Sequence, residues 1–242
     1  MSTSRKVLGI IPARGGSKGI PRKNLYPLAG KPLLVHSIEQ ARAASSLSRW
    51  IVSTDSSEIR EVALQNGAEV PFLRPSRLAE DHSLSVDVVI HALDHFKKVE
   101  NVEFDAVVLL QPTTPFRKPK EIDAAVEKLF AAPCDSVVSV VDVGPNHPAR
   151  MYSIVQDRLV SVMDEGVTMK PRQELPPVYI RSGDIYVVRT MALRRAHSMM
   201  AGDCRPLIIQ PDFAVNIDSH LDMQLAESLV KSWSTGEVAG DY

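Results

Sequence analysis

Short apolar runs rich in β-branched residues alternate along the chain with amphipathic segments. The runs are KVLGIIP, WIVST, VPFL, AVVLLQP and SVVSVV, and most of them have a stretch of about a dozen residues of helical periodicity between them. This alternation of strands and helices is typical of βαβ units, which build a mostly parallel sheet covered by helices. The sequence therefore predicts an α/β fold.

Prolines and capping residues predict where several helices begin. Pro32 precedes an expected helix over 33–44, and Pro119 precedes one over 120–130. Asp55, with Glu58 three residues later, is expected to cap the helix between them. Near the end of the chain Ser219 is expected to cap a last helix, whose apolar positions are Leu221, Leu225, Leu229 and Trp233.

The pattern changes after about residue 141. Residues 142–189 contain short strands and several prolines but no long helical period, which predicts a protruding antiparallel insertion. The core would then comprise 1–141 plus 190–242, with strands resuming at PLIIQ and FAVNI. Short strands leave one apolar face without a partner of their own, so we expect the insertion to mediate a homodimer.

Composition excludes several classes of protein. A formal net charge of -1 argues against a general nucleic-acid binder, and no apolar run is long enough to span a membrane. The two cysteines have no neighbours at metal-ligand spacing, so neither zinc nor a disulfide framework is indicated. The first residues do not resemble a secretory signal, so we expect a cytoplasmic protein.

The segment IIPARGGSKGIPRKNL, residues 10–25, follows the first predicted strand and carries no acidic residue. Its glycines allow close backbone approach to a ligand, and its cations suit a polyphosphate; these are Gly15, Gly16, Gly19, Arg14, Lys18, Arg22 and Lys23. A flexible surface turn is the alternative interpretation. The position after a strand favours a phosphate site, although Ile20 stands where a Walker A loop needs glycine.

Polar residues also follow other predicted strands. Arg74 ends the third strand and Ser85 precedes a helix, so both are expected at the carboxyl edge of the sheet. In LLQPTTPFR, Gln111 projects at the same edge, and Arg117, taken alone, is interpreted as a surface cation. Asn216 and Asp218 alternate along FAVNIDS, which would place them on one face.

These motifs together resemble those of the acylneuraminate cytidylyltransferases, the CMP-sialic acid synthetases. The likeness continues in order through VSTDS, RPSRLAEDHSLS, LLQPTTPFR, KPRQELPPVYIRSGDIY and NIDSHLDMQLAE, and so covers nearly the whole chain. It implies a three-layer, Rossmann-like nucleotide-binding fold and a homodimeric enzyme of cell-surface glycan biosynthesis. This enzyme would transfer CMP from CTP to the anomeric hydroxyl of a nonulosonic acid, with Mg²⁺ as cofactor.

The resemblance also implies roles for individual residues. Arg14 and Lys18 are the expected catalytic residues, and the nucleotide would be bound by Arg14, Ser17, Lys18, Lys23, Asn24, Arg74 and Ser85. The sugar would contact Gln111 and Tyr186, together with Arg150 and Arg172 from the neighbouring subunit. Asp218 and Asn216 match two aspartates that hold the metal in relatives, so the neutral Asn216 implies weaker Mg²⁺ affinity.

Alternatives remain at this point. Kdo synthetases resemble the first motif but lack an LQPT segment, and a GTP-using sugar nucleotidyltransferase would share the scaffold. A non-catalytic nucleotide-binding homologue is favoured only by Asn216. Ser182 replaces an asparagine common in relatives, which removes one expected sugar contact. His147 is interpreted as a polar turn residue rather than a proton-transfer group. Met199 and Met200 stand where the resemblance implies an aromatic pair against the acyl group, but they are interpreted as core packing.

Overall fold

A computed structural model describes residues 5–164 and 171–235. Its main sheet has six strands in the order β4, β1, β5, β9, β6, β10. Neighbouring strands are parallel except for β9, which runs antiparallel to β5 and β6. The strands are β1 (Val7–Pro12), β4 (Arg49–Ser53), β5 (Ala106–Leu109), β6 (Ser136–Asp142), β9 (Tyr179–Arg189) and β10 (Cys204–Ile208). The predicted α/β fold with a mainly parallel sheet is confirmed.

Helices cover both faces of this sheet. They are α1 (Leu33–Ala43), α2 (Ser57–Gln65), α3 (Ser85–Val99), α4 (Pro119–Ala131), α5 (Thr190–Ala196) and α6 (His220–Thr235). Successive side chains of β1 point to opposite faces, so Ile11 packs with α1, α2 and α4, while Ile10 packs with α3 and α5. Three layers result, with the sheet in the middle. Within the described residues, the helices include none that is long and apolar enough to cross a membrane.

Two predicted strands do not form. VPFL makes only one isolated parallel bridge, from Leu73 to Thr54, and Glu69 just before it makes another to Ile51; Pro71 between them has no N–H to donate. In FAVNI, Pro211 begins a 3₁₀ turn that ends at Phe213, and the Ile217 N–H then donates to the Thr113 carbonyl at 2.8 Å. Asn216 and Asp218 therefore lie in a loop at the carboxyl edge of the sheet.

The sequence predicted the beginning of the last helix better than it predicted which of its side chains are buried. Ser219 accepts a hydrogen bond from the Asp222 N–H (3.3 Å) before α6, but the predicted cap at Asp55 is wrong because Ser56 caps α2. Of the four apolar positions predicted for α6, Leu229 and Trp233 pack against the core, whereas Leu221 is 74% exposed and Leu225 is 49% exposed because α6 buries a different stripe. That stripe consists of Met223 and Ala226, followed by Leu229, Val230 and Trp233.

The segment outside the main sheet is shorter than predicted. β7 (Tyr152–Val155) and β8 (Arg158–Ser161) form a separate antiparallel pair, and a second small pair joins β2 (Pro27–Leu28) to β3 (Lys31–Pro32). β9 lies between β5 and β6, because its apolar half is buried on both faces. Within the predicted insertion 142–189, the described residues that leave the sheet are thus 143–164 and 171–178.

Candidate active site

A cavity of about 260 Å³ opens at the carboxyl ends of β1 and β5. Most residues predicted to bind the nucleotide line it, namely Arg14, Ser17, Lys23, Asn24, Arg74 and Ser85. Gln111, predicted to contact the sugar, lines it as well. Lys18 is not in the lining, and its side chain is 81% exposed. The structure therefore brings together residues from three separate motifs of the sequence.

The loop after β1 is held from several directions. The Asn24 side-chain amide donates to the Arg14 carbonyl (2.9 Å), and the Gly15 N–H donates to Asp55 Oδ1 (2.9 Å). Gly19 packs so tightly that a Cβ there would lie 2.1 Å from the Asp218 carbonyl oxygen, whereas the corresponding space at Gly16 is open. The loop thus has a defined shape, and only glycine fits at position 19.

Asp81 lies between the two cations predicted to be catalytic. Its Oδ1 is 2.8 Å from Arg14 Nη1 and its Oδ2 is 2.7 Å from Lys18 Nζ. The hydrogen bond from Lys18 is the main cause that holds the pKa of Asp81 below its ordinary value. A carboxylate therefore occupies a position between cations that also suits a phosphate. Sequence reasoning missed Asp81, although it stands in the motif RPSRLAEDHSLS.

Arg74 is a buried cation that faces the cavity. It is 4% exposed, and the nearest carboxylate, that of Asp55, is 3.8 Å away. Its Nε is buried without a hydrogen-bond partner among the described residues. Burial lowers the pKa of Arg74, while the charge of Asp55 opposes this shift. A buried guanidinium with unused donors is suited to bind a polar group of a ligand.

Arg117 holds the polar turn that carries Gln111. Its side chain is fully buried, so the interpretation as a surface cation is wrong. It donates to the Gln111 carbonyl (2.8 Å), to Thr114 Oγ1 (2.7 Å) and to the Asp184 carbonyl (2.5 Å). Burial lowers the pKa of Arg117 to about 10. No signal in the sequence indicated this burial, because the Asp184 carbonyl becomes a neighbour of Arg117 only through the fold.

A second cavity of about 370 Å³ adjoins the first and shares Ser85 and Gln111 with it. Tyr186 lines this cavity, and burial raises the pKa of its phenol. Met199 packs in the core, as predicted, and also lines the cavity. Met200 lines it too but is 41% exposed, so its interpretation as core packing is wrong.

One of the two arginines predicted to reach the sugar from the neighbouring subunit lies away from both cavities. Arg150 ends a 3₁₀ turn, Pro148–Arg150, where it is exposed and lines neither cavity. Arg172 begins the 3₁₀ turn Arg172–Glu174, and its side chain falls outside what the structure describes. His147 is buried in the same segment, where its Nδ1 accepts from the Ala149 N–H (3.1 Å) and its Nε2 lies 2.9 Å from the Pro176 carbonyl.

The loop before α6 meets the loop after β1 at Asp218. Lys23 Nζ lies 2.8 Å from Asp218 Oδ1, and the Asn216 amide donates to Asp218 Oδ2 (2.9 Å). Over residues 5–164 and 171–235, no group of three acidic, histidine or cysteine side chains is arranged to hold a metal. One carboxylate with a neighbouring amide fits Mg²⁺ only where substrate phosphates supply further ligands.

The fold and the site define a class. An α/β sheet with cations, a buried arginine and a polar turn around one cavity at its carboxyl edge is typical of nucleotide-binding enzymes. The sequence model of the cytidylyltransferases matches residues 8–197. The chain therefore belongs to the cytidylyltransferase family, whose members are nucleotidyltransferases.

Individual relatives agree with this assignment. The chain is 37% identical over 235 residues to a CMP-N,N'-diacetyllegionaminic acid synthase of Legionella pneumophila, which covers 93% of this chain and 97% of that protein. It is 33% identical over 223 residues to an N-acylneuraminate cytidylyltransferase of Streptococcus agalactiae, covering 90% of this chain and 51% of that one. The resemblance to acylneuraminate cytidylyltransferases is thus confirmed.

A solved structure supports the fold. A CMP:2-keto-3-deoxy-manno-octonic acid synthetase complexed with CTP superposes with a TM-score of 0.70, covering 94% of this chain and 99% of its own, at 17% identity. At that identity the likeness concerns the fold alone.

Proposed function

We propose that this chain transfers CMP from CTP to the anomeric hydroxyl of a nonulosonic acid. This acceptor would resemble the legionaminic acid that appears in the name of the Legionella pneumophila relative. The observation that carries the proposal is the cavity in which Arg14, Arg74 and Gln111 meet beside a second, sugar-sized space. The Kdo-like and GTP-using alternatives have no comparable support. The activated sugar would be made in the cytoplasm and used for the synthesis of cell-surface glycans.

The reaction requires one bond to form and one to break. The anomeric oxygen attacks the α-phosphorus, the bond from that phosphorus to the bridging oxygen of the β-phosphate breaks, and pyrophosphate leaves with the electron pair. The hydroxyl proton passes to solvent, since none of the described side chains stands out as a general base. Catalysis is then mostly positioning and charge stabilisation, as expected for phosphoryl-type transfer.

The cationic loop would supply that stabilisation. Arg14 and Lys18 already bind one carboxylate between them, and the triphosphate would replace Asp81 as their partner. Ser17 and the open backbone at Gly16 would donate further hydrogen bonds to the phosphates. Lys23 would contact the polyphosphate from its position beside Asp218.

Base selection would fall to Asn24, Arg74 and Ser85. The Asn24 nitrogen is used by the Arg14 carbonyl, which leaves the amide oxygen to accept from the exocyclic amine of cytosine. Uracil has a carbonyl at that position, so its binding would leave two acceptors facing each other. An unmatched buried polar group costs about 1 to 3 kcal/mol, enough to discriminate CTP from UTP.

Asp218 and Asn216 would hold Mg²⁺ together with phosphate oxygens. The bound ion would neutralise charge on the departing pyrophosphate. The exposed position of Asp218 beside the loop supports this assignment, whereas the ammonium group of Lys23 competes for the same carboxylate. We therefore expect a metal requirement in the presence of CTP and weak metal affinity in its absence.

The exposed apolar surface of the β7–β8 pair supports a homodimer. Ile154 of β7 is 75% exposed and Leu159 of β8 is 70% exposed, and Ile180 near the start of β9 is 58% exposed. Apolar side chains concentrated in this way favour burial against a second copy of the chain. Such a dimer would carry Arg150 and Arg172 towards the neighbouring subunit.

Pyrophosphate release tests the proposal. The chain is incubated with Mg²⁺, one nucleotide and one acceptor from a panel of sialic, legionaminic and pseudaminic acids, and CTP is compared with GTP and UTP. We expect release with CTP and at least one of these acids, loss of release in Arg14→Gln, and unchanged release in the control Arg60→Gln, which alters an exposed arginine of α2. Tight CTP binding without release from any acid would favour a non-catalytic homologue.

A further inference from the structure

The second cavity contains a cation that sequence reasoning did not single out. Arg181 lines it together with Tyr186 and Gln111. Its side chain contacts the Met200 sulfur at 3.7 Å, and sulfur is a weak acceptor. Among the residues that the structure describes, no carboxylate lies within ion-pair distance of Arg181. Within the described part of the chain, its guanidinium therefore has nearly all its donors available to a ligand.

A β-bulge brings Arg181 to this cavity. Val138 of β6 pairs with Tyr186 and Val140 pairs with Arg181, so five steps along β9 match two steps along β6. Regular alternation would place residues five apart on opposite faces, whereas this bulge places Arg181 and Tyr186 on the same face. The irregularity in the sheet therefore adds a cation to the lining of the second cavity.

The bulge is built into the sequence SGDIY. Gly183 has a φ of +86°, which favours glycine, and a Cβ there would lie 3.3 Å from Gln111 Oε1. Ser182 Oγ donates to Ser139 Oγ (2.7 Å), which in turn accepts from the Ile185 N–H (2.9 Å). Ser182 thus stabilises the distortion that brings Arg181 to the cavity.

The two cavities differ in charge. In the first, Asp81 pairs with Arg14 and Lys18, and Glu80 is also part of the lining. The second has neither aspartate nor glutamate among its described lining residues. Its histidine, His197, is paired with Asp87 at 3.0 Å, so Arg181 is the lining cation with no acidic partner of its own. This cavity therefore favours an anionic ligand.

We propose that Arg181 binds the carboxylate of the acceptor sugar from within the same chain, and so selects 2-keto acids over neutral sugars. This inference rests on the proposed function, because it takes the second cavity as the acceptor site. A guanidinium presents two parallel donors to a carboxylate. Arg181 lies close enough to Tyr186 that its positive charge counteracts the rise that burial causes in the pKa of the phenol. Because this carboxylate is bonded to the anomeric carbon, it would lie near the side of the second cavity where Ser85 and Gln111 are shared with the first.

The test compares an acid with its neutral ester. The probes are the nonulosonic acid that gives the fastest pyrophosphate release and the C1 methyl ester of the same sugar, each with CTP. In Arg181→Gln we expect the KM of the acid to rise about 10- to 100-fold, the range for charged hydrogen bonds, with the KM of CTP nearly unchanged. The preference for acid over ester should fall accordingly, Arg181→Lys should restore part of it, and Arg60→Gln should behave as wild type.

Each other result counts against the inference. If Arg181→Gln keeps the wild-type preference for the acid, or loses acid and ester equally, the carboxylate is bound elsewhere. A parallel rise in the KM of CTP would assign Arg181 to the nucleotide instead. If the wild-type chain releases no pyrophosphate with any acid, the proposed function fails, and the inference fails with it.

Discussion

Lys23 Nζ lies 2.8 Å from Asp218 Oδ1, and this ion pair joins positions 195 residues apart in the chain. The contact links the glycine-rich loop after β1 to the loop before α6. Gly19 touches the Asp218 backbone in the same region. The proposed chemistry needs the phosphate-binding cations near the carboxylate proposed to hold Mg²⁺, and the fold places Lys23 of the cavity lining beside Asp218, which itself lies outside that lining.

Lys18→Ala should reduce turnover severely. Lys18 is exposed and hydrogen-bonded to Asp81, so its removal leaves the fold intact but withdraws a positive charge from the leaving group. Loss of one such transition-state contact costs about 10²-fold in kcat. Steady-state pyrophosphate release measures it, with Lys31→Ala as the matched control, since Lys31 pairs with Glu39 outside the cavity. Near-normal turnover would remove Lys18 from the catalytic residues.

Asp81→Asn should tighten CTP binding. The carboxylate occupies Arg14 and Lys18 and repels phosphates, so its neutralisation lowers the Kd of CTP by about twofold to fivefold, the range of an exposed ion pair. Because Lys18 lowers the pKa of Asp81, the carboxylate is ionised throughout the neutral range, and the effect should not change between about pH 6 and 8. Calorimetric titration at low and high salt measures it.

An exposed ion pair away from the cavity provides the control for that titration. Asp203→Asn removes a comparable partner of Arg205 and should leave the Kd of CTP unchanged. The effect of Asp81→Asn should shrink at high salt, because screening weakens exposed charges. Weaker CTP binding by Asp81→Asn would mean that the carboxylate helps to bind the nucleotide.

Asn216→Asp should lower the Mg²⁺ concentration needed for half-maximal activity. The substitution replaces a donor to Asp218 with a second carboxylate, and a cation relieves the resulting repulsion. A Mg²⁺ titration of pyrophosphate release at saturating CTP shows the shift, and Asn66→Asp in the turn after α2 serves as control. An unchanged titration would exclude position 216 from the metal site.

Asp184 should make stability depend on pH. Burial raises the pKa of this carboxyl from 3.8 to about 6, and its Oδ2 has no hydrogen-bond partner among the described residues. The folded chain then holds the proton more tightly than the unfolded chain, so the free energy of unfolding falls as pH rises from about 4 to 6. The decrease is on the order of 3 kcal/mol, at 1.4 kcal/mol per pKa unit.

Asp184→Asn removes this titration. Urea unfolding at several pH values should show a smaller decrease between about pH 4 and 6 in the variant than in the wild type, and greater stability of the variant above that range. The same pH dependence in both proteins would mean that Asp184 stays ionised when folded, through the charge of the nearby Arg117.

The sequence was informative where local chemistry decides structure. Pro119 begins α4, Ser219 caps α6 and the glycine-rich loop follows β1, because each of these depends on a few adjacent residues. The order of the motifs also indicated which residues would gather at the carboxyl edge, since parallel strands bring their ends together.

Tertiary contacts decided the rest. Arg117 is buried only because Gln40 and Asp184 meet it from distant elements, and Asp81 reaches Arg14 from a separate loop. The bulge that turns Arg181 into the second cavity depends on pairing with Ser139 across the sheet. Such neighbours are set by the complete fold, and no spacing along the chain reveals them.

The most direct test of the central claim is a crystal structure of the chain with CTP. The account predicts density for the polyphosphate against Arg14, Ser17 and Lys18, with Asp81 displaced from these cations, and density for cytosine between Arg74 and Ser85. CTP bound outside this cavity, or a triphosphate that contacts none of the loop cations, would contradict the account.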